Sequence, residues 1–213
     1  MTTLLLIRHG QSLANIQKYF AGNMDAPLTK LGHQQARATA EYIQSHYRVD
    51  AVYASDLSRA WDTGKAVADV TGAPIHANRN LREIYAGVWE GLSFDELTVR
   101  FAQSYGIWRT DIGNAAPEGG ETVAALQTRV VEAIRAVAEA HPNQIVAIAT
   151  HATPIRVLQC YTAQLPLDEM KNIPWVTNAS LTVLTYDQGQ FQQQLVSYDR
   201  HLGTMTSSLP PNV

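Results

Sequence analysis

The chain has 213 residues, a net charge of −3, 46% hydrophobic residues and 16% charged ones. That length allows one sizeable core in one or two domains, and the composition excludes a disordered chain. The charge lacks the basic excess of a nucleic-acid binder, no run approaches the roughly 18 apolar residues of a membrane span, and the lone Cys160 leaves no intrachain disulfide and suits a reducing compartment.

The N-terminal MTTLLLIRHG has neither the basic start nor the length of a signal peptide, so the cytoplasm is the expected location. Residues 3–7 form an unbroken apolar run, the pattern of a strand buried on both faces. Thr29 reads as the N-cap of a helix to about Tyr47, with Ala36, Ala40, Ile43 and Tyr47 as its apolar stripe. DAVYAS at 50–55 reads as a second strand, and Ser55 or Asp56 as the cap of a helix ending near Gly72. A short strand is expected at 74–77.

Residues 79–120 are punctuated by glycines and aromatics, with one helical stretch near 93–105. They interrupt the alternation and are expected to form a cap over one end of the sheet. Val123, Leu126, Val130, Ile134 and Val137 then mark a long amphipathic helix, and QIVAIAT at 144–150 another buried strand, with a helix after Pro154. Segments 180–185 and 191–197 predict a hairpin around Asp187–Gly189. Strands alternating with helices predict an α/β fold: a three-layer sandwich whose mainly parallel sheet is flanked by helices. One domain is expected over 1–202, with a loose end over 203–213.

Ligands of open parallel sheets bind at the carboxyl ends of the strands. The first strand ends in Arg8-His9-Gly10 and the strand at 144–150 ends in His151-Ala152. If those strands are parallel, both imidazoles stand on one rim. Arg59, one turn into the helix after 50–55, joins them there. Arg8 offers a planar fork suited to phosphate or carboxylate, and Gly10 a close approach of ligand to backbone. Two guanidiniums and two imidazoles describe an anion site. A metal centre needs further acidic or thiolate ligands, and two arginines would repel the cation.

RHGQSLAN (8–15), PLTKLGHQQA (27–36), ASDLSRAWDTG (54–64), LREIYAGVWEG (81–91), PEGGET (117–122) and THATPIR (150–156) occur in this order. With them the chain resembles the histidine phosphatase superfamily, also called the phosphoglycerate mutase-like family, over about residues 3–185. The resemblance implies that His9 is the nucleophile that takes a phosphoryl group. Arg8, Arg59 and a protonated His151 complete the phosphate pocket, and Glu83 is the acid that protonates the leaving oxygen. Asn15, Ala21 and Gly22 would line phosphate or substrate. Ala152 stands where the family commonly has glycine, so its methyl must fit beside the ligand. Glu90 is a second acid candidate, otherwise a structural partner at the base of the cap. No metal and no cofactor are implied.

The resemblance points first to a phosphatase of small phosphate monoesters. A cofactor-dependent phosphoglycerate mutase is the alternative, but mutases of the family carry a longer cap and an acid motif like ERHYG. A non-catalytic phospho-ligand binder is disfavoured because the five key positions are filled. The expected partner is a small phosphorylated metabolite, with no nucleic acid and no membrane, and a homodimer stays open. Tyr85, Trp89, Phe94, Phe101, Tyr105 and Trp108 read first as the cap's own core, and Trp61 and Trp175 as packing residues.

Overall fold

Leu4, Leu5, Leu6 and Ile7 are each at most 1% exposed, which requires a strand covered on both faces. The computed structural model describes residues 1–207 and supplies that cover. In chain order the elements are β1 (Thr2–Arg8), α1 (Leu13–Gln17), α2 (Lys30–His46), β2 (Ala51–Ala54), α3 (Ser58–Thr71) and β3 (Ile75–Ala77). After these come α4 (Phe94–Arg100), α5 (Ala102–Thr110), α6 (Val123–Ala140), β4 (Ile145–Thr150), α7 (Ala152–Thr162), β5 (Leu181–Asp187) and β6 (Gln190–Tyr198). The sheet order is β3-β2-β4-β1-β5-β6. The first four strands are mutually parallel, and β5 and β6 continue as an antiparallel hairpin.

Alternation along β1 divides the core. Leu4 and Leu6 pack with Val130, Ile134 and Leu158 from α6 and α7, whereas Leu5 and Ile7 pack with Ile43 and Val67 from α2 and α3. The result is three layers, helix–sheet–helix. The chain leaves β1 toward the α2 layer and leaves β4 toward the α7 layer. The crevice between these adjacent strands is therefore where a ligand site belongs.

Several local expectations are corrected. Neither Ser55 nor Asp56 caps α3. Asp25 does so from a distant loop, accepting from the Ser58 N–H at 2.8 Å and the Ser58 hydroxyl at 2.7 Å, which leaves Ser55 and Asp56 free for other partners. The stretch near 93–105 is two helices, broken at Phe101 (φ −128°, ψ 37°), so that Tyr105 and Trp108 of α5 turn inward. α7 begins at Ala152, before Pro154, because a proline in the first helical turn forfeits no backbone bond.

The chain does not come loose at Gly203. Short 3₁₀ turns lie on either side of a kink at Gly203 (φ 56°, ψ −121°) within Arg200–Met205, and Gln35 Nε2 donates to the Met205 carbonyl and the Ser207 hydroxyl, both at 2.7 Å. The expected loose end beyond that point, 208–213, lies outside the described residues.

Gly10 is required by packing. A Cβ there would stand 2.4 Å from the Gly32 carbonyl oxygen in the first turn of α2. Gly10→Ala is expected to destabilise the protein by about 3 kcal/mol, the upper end of overpacking costs. Gly106→Ala, in α5 with nothing within 4 Å of its Cβ position, is expected to stabilise by about 0.5–1 kcal/mol. Urea unfolding of both variants checks this, and equal effects would refute it.

Candidate active site

Parallel pairing of Arg8 with Thr150, and of Ala54 with Ala149, brings three strand ends level. Arg8-His9, His151 and Ser55 therefore meet at one rim. Arg8, His9, Asn15, Ala21, Gly22, Arg59, Glu83 and Ala152 all line one cleft there. His151 is fully buried, its ring edge-on to His9 with centroids 5.1 Å apart.

The nucleophile candidate has a defined tautomer. His9 Nδ1 lies 2.7 Å from the Gly10 carbonyl oxygen. A carbonyl only accepts, so Nδ1 carries the proton and Nε2 keeps the lone pair. His151 Nε2 pairs with the Ser55 hydroxyl at 2.9 Å.

Both arginines are buried yet tied down by backbone. Arg8 donates from Nη1 to the Val176 carbonyl at 2.5 Å, and Arg59 from Nη1 and Nη2 to Met24 and Gly22 carbonyls at 2.9 and 2.8 Å. Arg8 Nε and His151 Nδ1 are buried with no hydrogen-bond partner among the described residues. Buried polar atoms left unpaired are costly, and an oxyanion would satisfy them.

Glu83 is held at both oxygens. Oε1 accepts from its neighbour Ile84 N–H at 2.8 Å and Oε2 from Thr153 N–H, in the first turn of α7, at 3.3 Å. Its backbone is clamped from two sides. Arg82 forks onto Asp56 with two 2.6 Å bonds. Arg129, paired with Glu121 at 2.7 Å, donates to the carbonyls of Asn80 and Arg82 at 2.8 and 3.2 Å. Glu90 is not in the cleft lining; its Oε1 accepts from Asn23 and Ala86 N–H groups at 2.7 and 3.1 Å. It ties the 20–25 loop to the segment after Glu83, the structural alternative for that residue.

Ser55, Thr63 and Asn178 were not singled out for the site by the sequence. Thr63 accepts from Gly10 N–H at 3.1 Å and donates to the Arg59 carbonyl at 2.7 Å. Asn178, 2% exposed, donates to the His9 carbonyl at 3.1 Å and to Asn15 Oδ1 at 3.3 Å. Asn15 Oδ1 also accepts from the Ser12 N–H and hydroxyl. With its oxygen so engaged, the Asn15 amide group is left to donate into the cleft it lines.

Burial pulls Arg8 down to about 10, with Arg59 pushing the same way and Glu83 opposing; it remains cationic at neutral pH. Burial first, then Arg59 and Arg8, hold His9 well below its ordinary 6.5. His151 is depressed likewise by burial, then by Arg59, His9 and Arg8. Full burial beside two guanidiniums thus disfavours a third cation at His151 on its own.

A bound dianion reverses that balance. Sulfate binding is therefore expected to take up protons and to strengthen as pH falls from about 8 to 6, by up to about tenfold per pH unit for each imidazole that charges. Calorimetry in buffers of different ionisation enthalpy measures the uptake. Sulfate affinity flat across that range would place the anion away from both imidazoles.

No group of three or more His, Cys, Asp or Glu side chains among the described residues is arranged to hold a metal ion. No helix there is long and apolar enough to cross a membrane.

Residues 4–199 match the family model described as histidine phosphatase superfamily (branch 1). Over 201 residues the chain is 30% identical to glucosyl-3-phosphoglycerate phosphatase of Mycolicibacterium vanbaalenii, covering 88% of each chain. It is 26% identical over 203 residues to phosphoserine phosphatase 1 of Hydrogenobacter thermophilus, covering 95% of each. Among solved structures, Bacillus stearothermophilus YhfR superposes with a TM-score of 0.91 at 29% identity, over 95% of this chain and 100% of that one.

Proposed function

The chain belongs to the histidine phosphatase superfamily, and from that premise we propose that it hydrolyses small phosphate monoesters through a phosphohistidine on His9, without a metal. The observation that carries this reading is the His9 tautomer: Nδ1–H is held on the Gly10 carbonyl, so the Nε2 lone pair is free in a cleft that also holds two guanidiniums and Glu83.

His9 Nε2 attacks phosphorus as the ester P–O bond breaks. A protonated Glu83 passes its proton to the departing alcohol oxygen. The Gly10 carbonyl, still accepting from Nδ1–H, favours the positive charge of the phosphorylated ring. Arg8 and Arg59 offset the negative charge spread over the three equatorial oxygens, and His151 takes up a proton as the dianion arrives. The Glu83 carboxylate then removes a proton from water, which attacks phosphorus and breaks the P–N bond. Inorganic phosphate leaves and His9 is regenerated. Splitting one displacement into two lowers each barrier. The free, buried Cys160 fits a cytoplasmic setting.

The test is phosphate release from a panel of monoesters with chelator present. 3-Phosphoglycerate is included, with 2-phosphoglycerate assayed in the presence of 2,3-bisphosphoglycerate. Steady release that survives chelator is expected. Rapid isomer exchange with little free phosphate would make the protein a mutase instead.

A further inference from the structure

Tyr19, Phe20, Phe94, Tyr105, Trp108 and Trp175 all line the His9 cleft. They come from three separate places: the loop after α1, the 79–120 segment and the stretch before β5. The sequence assigned the 79–120 aromatics first to a core of their own, and Trp89, fully buried and outside the lining, fits that. Tyr105 and Trp108, 2% and 5% exposed, belong to that core and also reach the cleft lining, where Phe94 and Trp175 are only partly buried.

The wall is braced from behind. Phe20 meets Trp108 and Trp89 edge-on at 5.1 and 5.7 Å, and Trp89 meets Tyr105 edge-on at 5.6 Å. The rings are thus set before a ligand arrives.

The charged side chains in the same lining are Arg8, Arg59 and Glu83. In the phosphatase reading all three serve the phosphoryl group and the ester oxygen. Another buried guanidinium, Arg156, lies over Trp175 at 4.0 Å from the ring centre and donates to the Met170 and Ile173 carbonyls, while its Nη1 has no hydrogen-bond partner among the described residues. It is not part of the lining. The cations of the lining thus stand at the phosphoryl end, and the rest of the lining is mainly aromatic.

We infer that the alcohol half of the substrate is uncharged and apolar, with a flat ring to lie against Trp108 and Trp175. The inference rests on the phosphatase reading. A carboxylate a few bonds from the ester oxygen, as in 3-phosphoglycerate or phosphoserine, would leave water for a wall of rings near Glu83 and find no counter-charge in that part of the lining, which is unfavourable. A flat neutral group gains contact with preformed aromatic surface.

The test compares kcat/KM for benzyl phosphate, 3-phosphoglycerate, phosphoserine and methyl phosphate. All are esters of simple aliphatic alcohols, so differences in leaving-group chemistry are small. Benzyl phosphate is expected to exceed the two carboxylates by about a hundredfold. Trp175→Leu should lower the benzyl-to-methyl ratio about tenfold, and Trp175→Phe should restore most of it.

Either carboxylate matching benzyl phosphate would overturn the inference while leaving the phosphatase reading intact. So would a Trp175→Leu protein, folded by circular dichroism, whose benzyl-to-methyl ratio is unchanged. Phosphate release from none of these esters would overturn the phosphatase reading and the inference with it.

Discussion

His9→Ala will lower phosphate release by roughly four orders of magnitude or more, because the step that forms the P–N bond has no substitute nucleophile. The fold should survive. The His9 ring is 5% exposed in the cleft wall, and its side-chain hydrogen bond is to the carbonyl of the next residue. The variant should even resist acid better than the parent. The parent's His9 titrates below 6.5 when folded, so between that lower value and about 6.5 the unfolded chain binds a proton that the folded chain refuses. Stability is then lost as pH falls through that window, and alanine removes one such group. Urea unfolding at about pH 7.5 and 5.5 should show a smaller acid loss in the variant. Turnover within tenfold of the parent would place the nucleophile elsewhere.

Much of this site was legible because strand ends announce themselves. An apolar run followed at once by Arg8-His9-Gly10, and another by His151, predicts two imidazoles on one rim, and the parallel pairing of β1 with β4 puts them there. The hairpin was equally legible from Asp187–Gly189: β5 ends at Asp187 and β6 begins at Gln190. Illegible were the residues whose partners are remote in sequence. Asn178 reaches His9 and Asn15 across 169 and 163 positions, and no local pattern marks it. Ser55 resembled a helix cap, which its chemistry permits, but Asp25 took that role from 33 residues away. Gly10 resembled a ligand-approach glycine, and the close neighbour is a backbone carbonyl of α2. The protonation of His151 is not written in a motif either: it follows from burial beside Arg59 and Arg8 and from the charge of whatever anion binds there. The aromatics near Glu83 were counted correctly, but whether a ring faces core or cleft depends on the break at Phe101, which composition does not encode.

Glu83→Gln separates the two chemical steps. For an ester with a poor leaving group, such as benzyl phosphate, kcat/KM should fall by about 10²–10⁴-fold, the range typical of a lost general acid. For p-nitrophenyl phosphate, whose leaving phenolate needs little protonation, kcat/KM should change by less than about tenfold. Its kcat should nevertheless drop, because the same carboxylate is needed to activate water against the phosphohistidine. The phosphoenzyme then accumulates, and a burst of one nitrophenol per active site should precede slow turnover. The geometry favours a clean result. In the variant one of the two N–H groups, of Ile84 or Thr153, loses its acceptor, but the Arg82–Asp56 and Arg129–Glu121 pairs hold the segment independently of the Glu83 side chain. Equal losses in kcat/KM on both esters would remove Glu83 from the acid role. Since Glu90 is committed to the Asn23 and Ala86 backbone, the proton would then have to come from the substrate or from solvent.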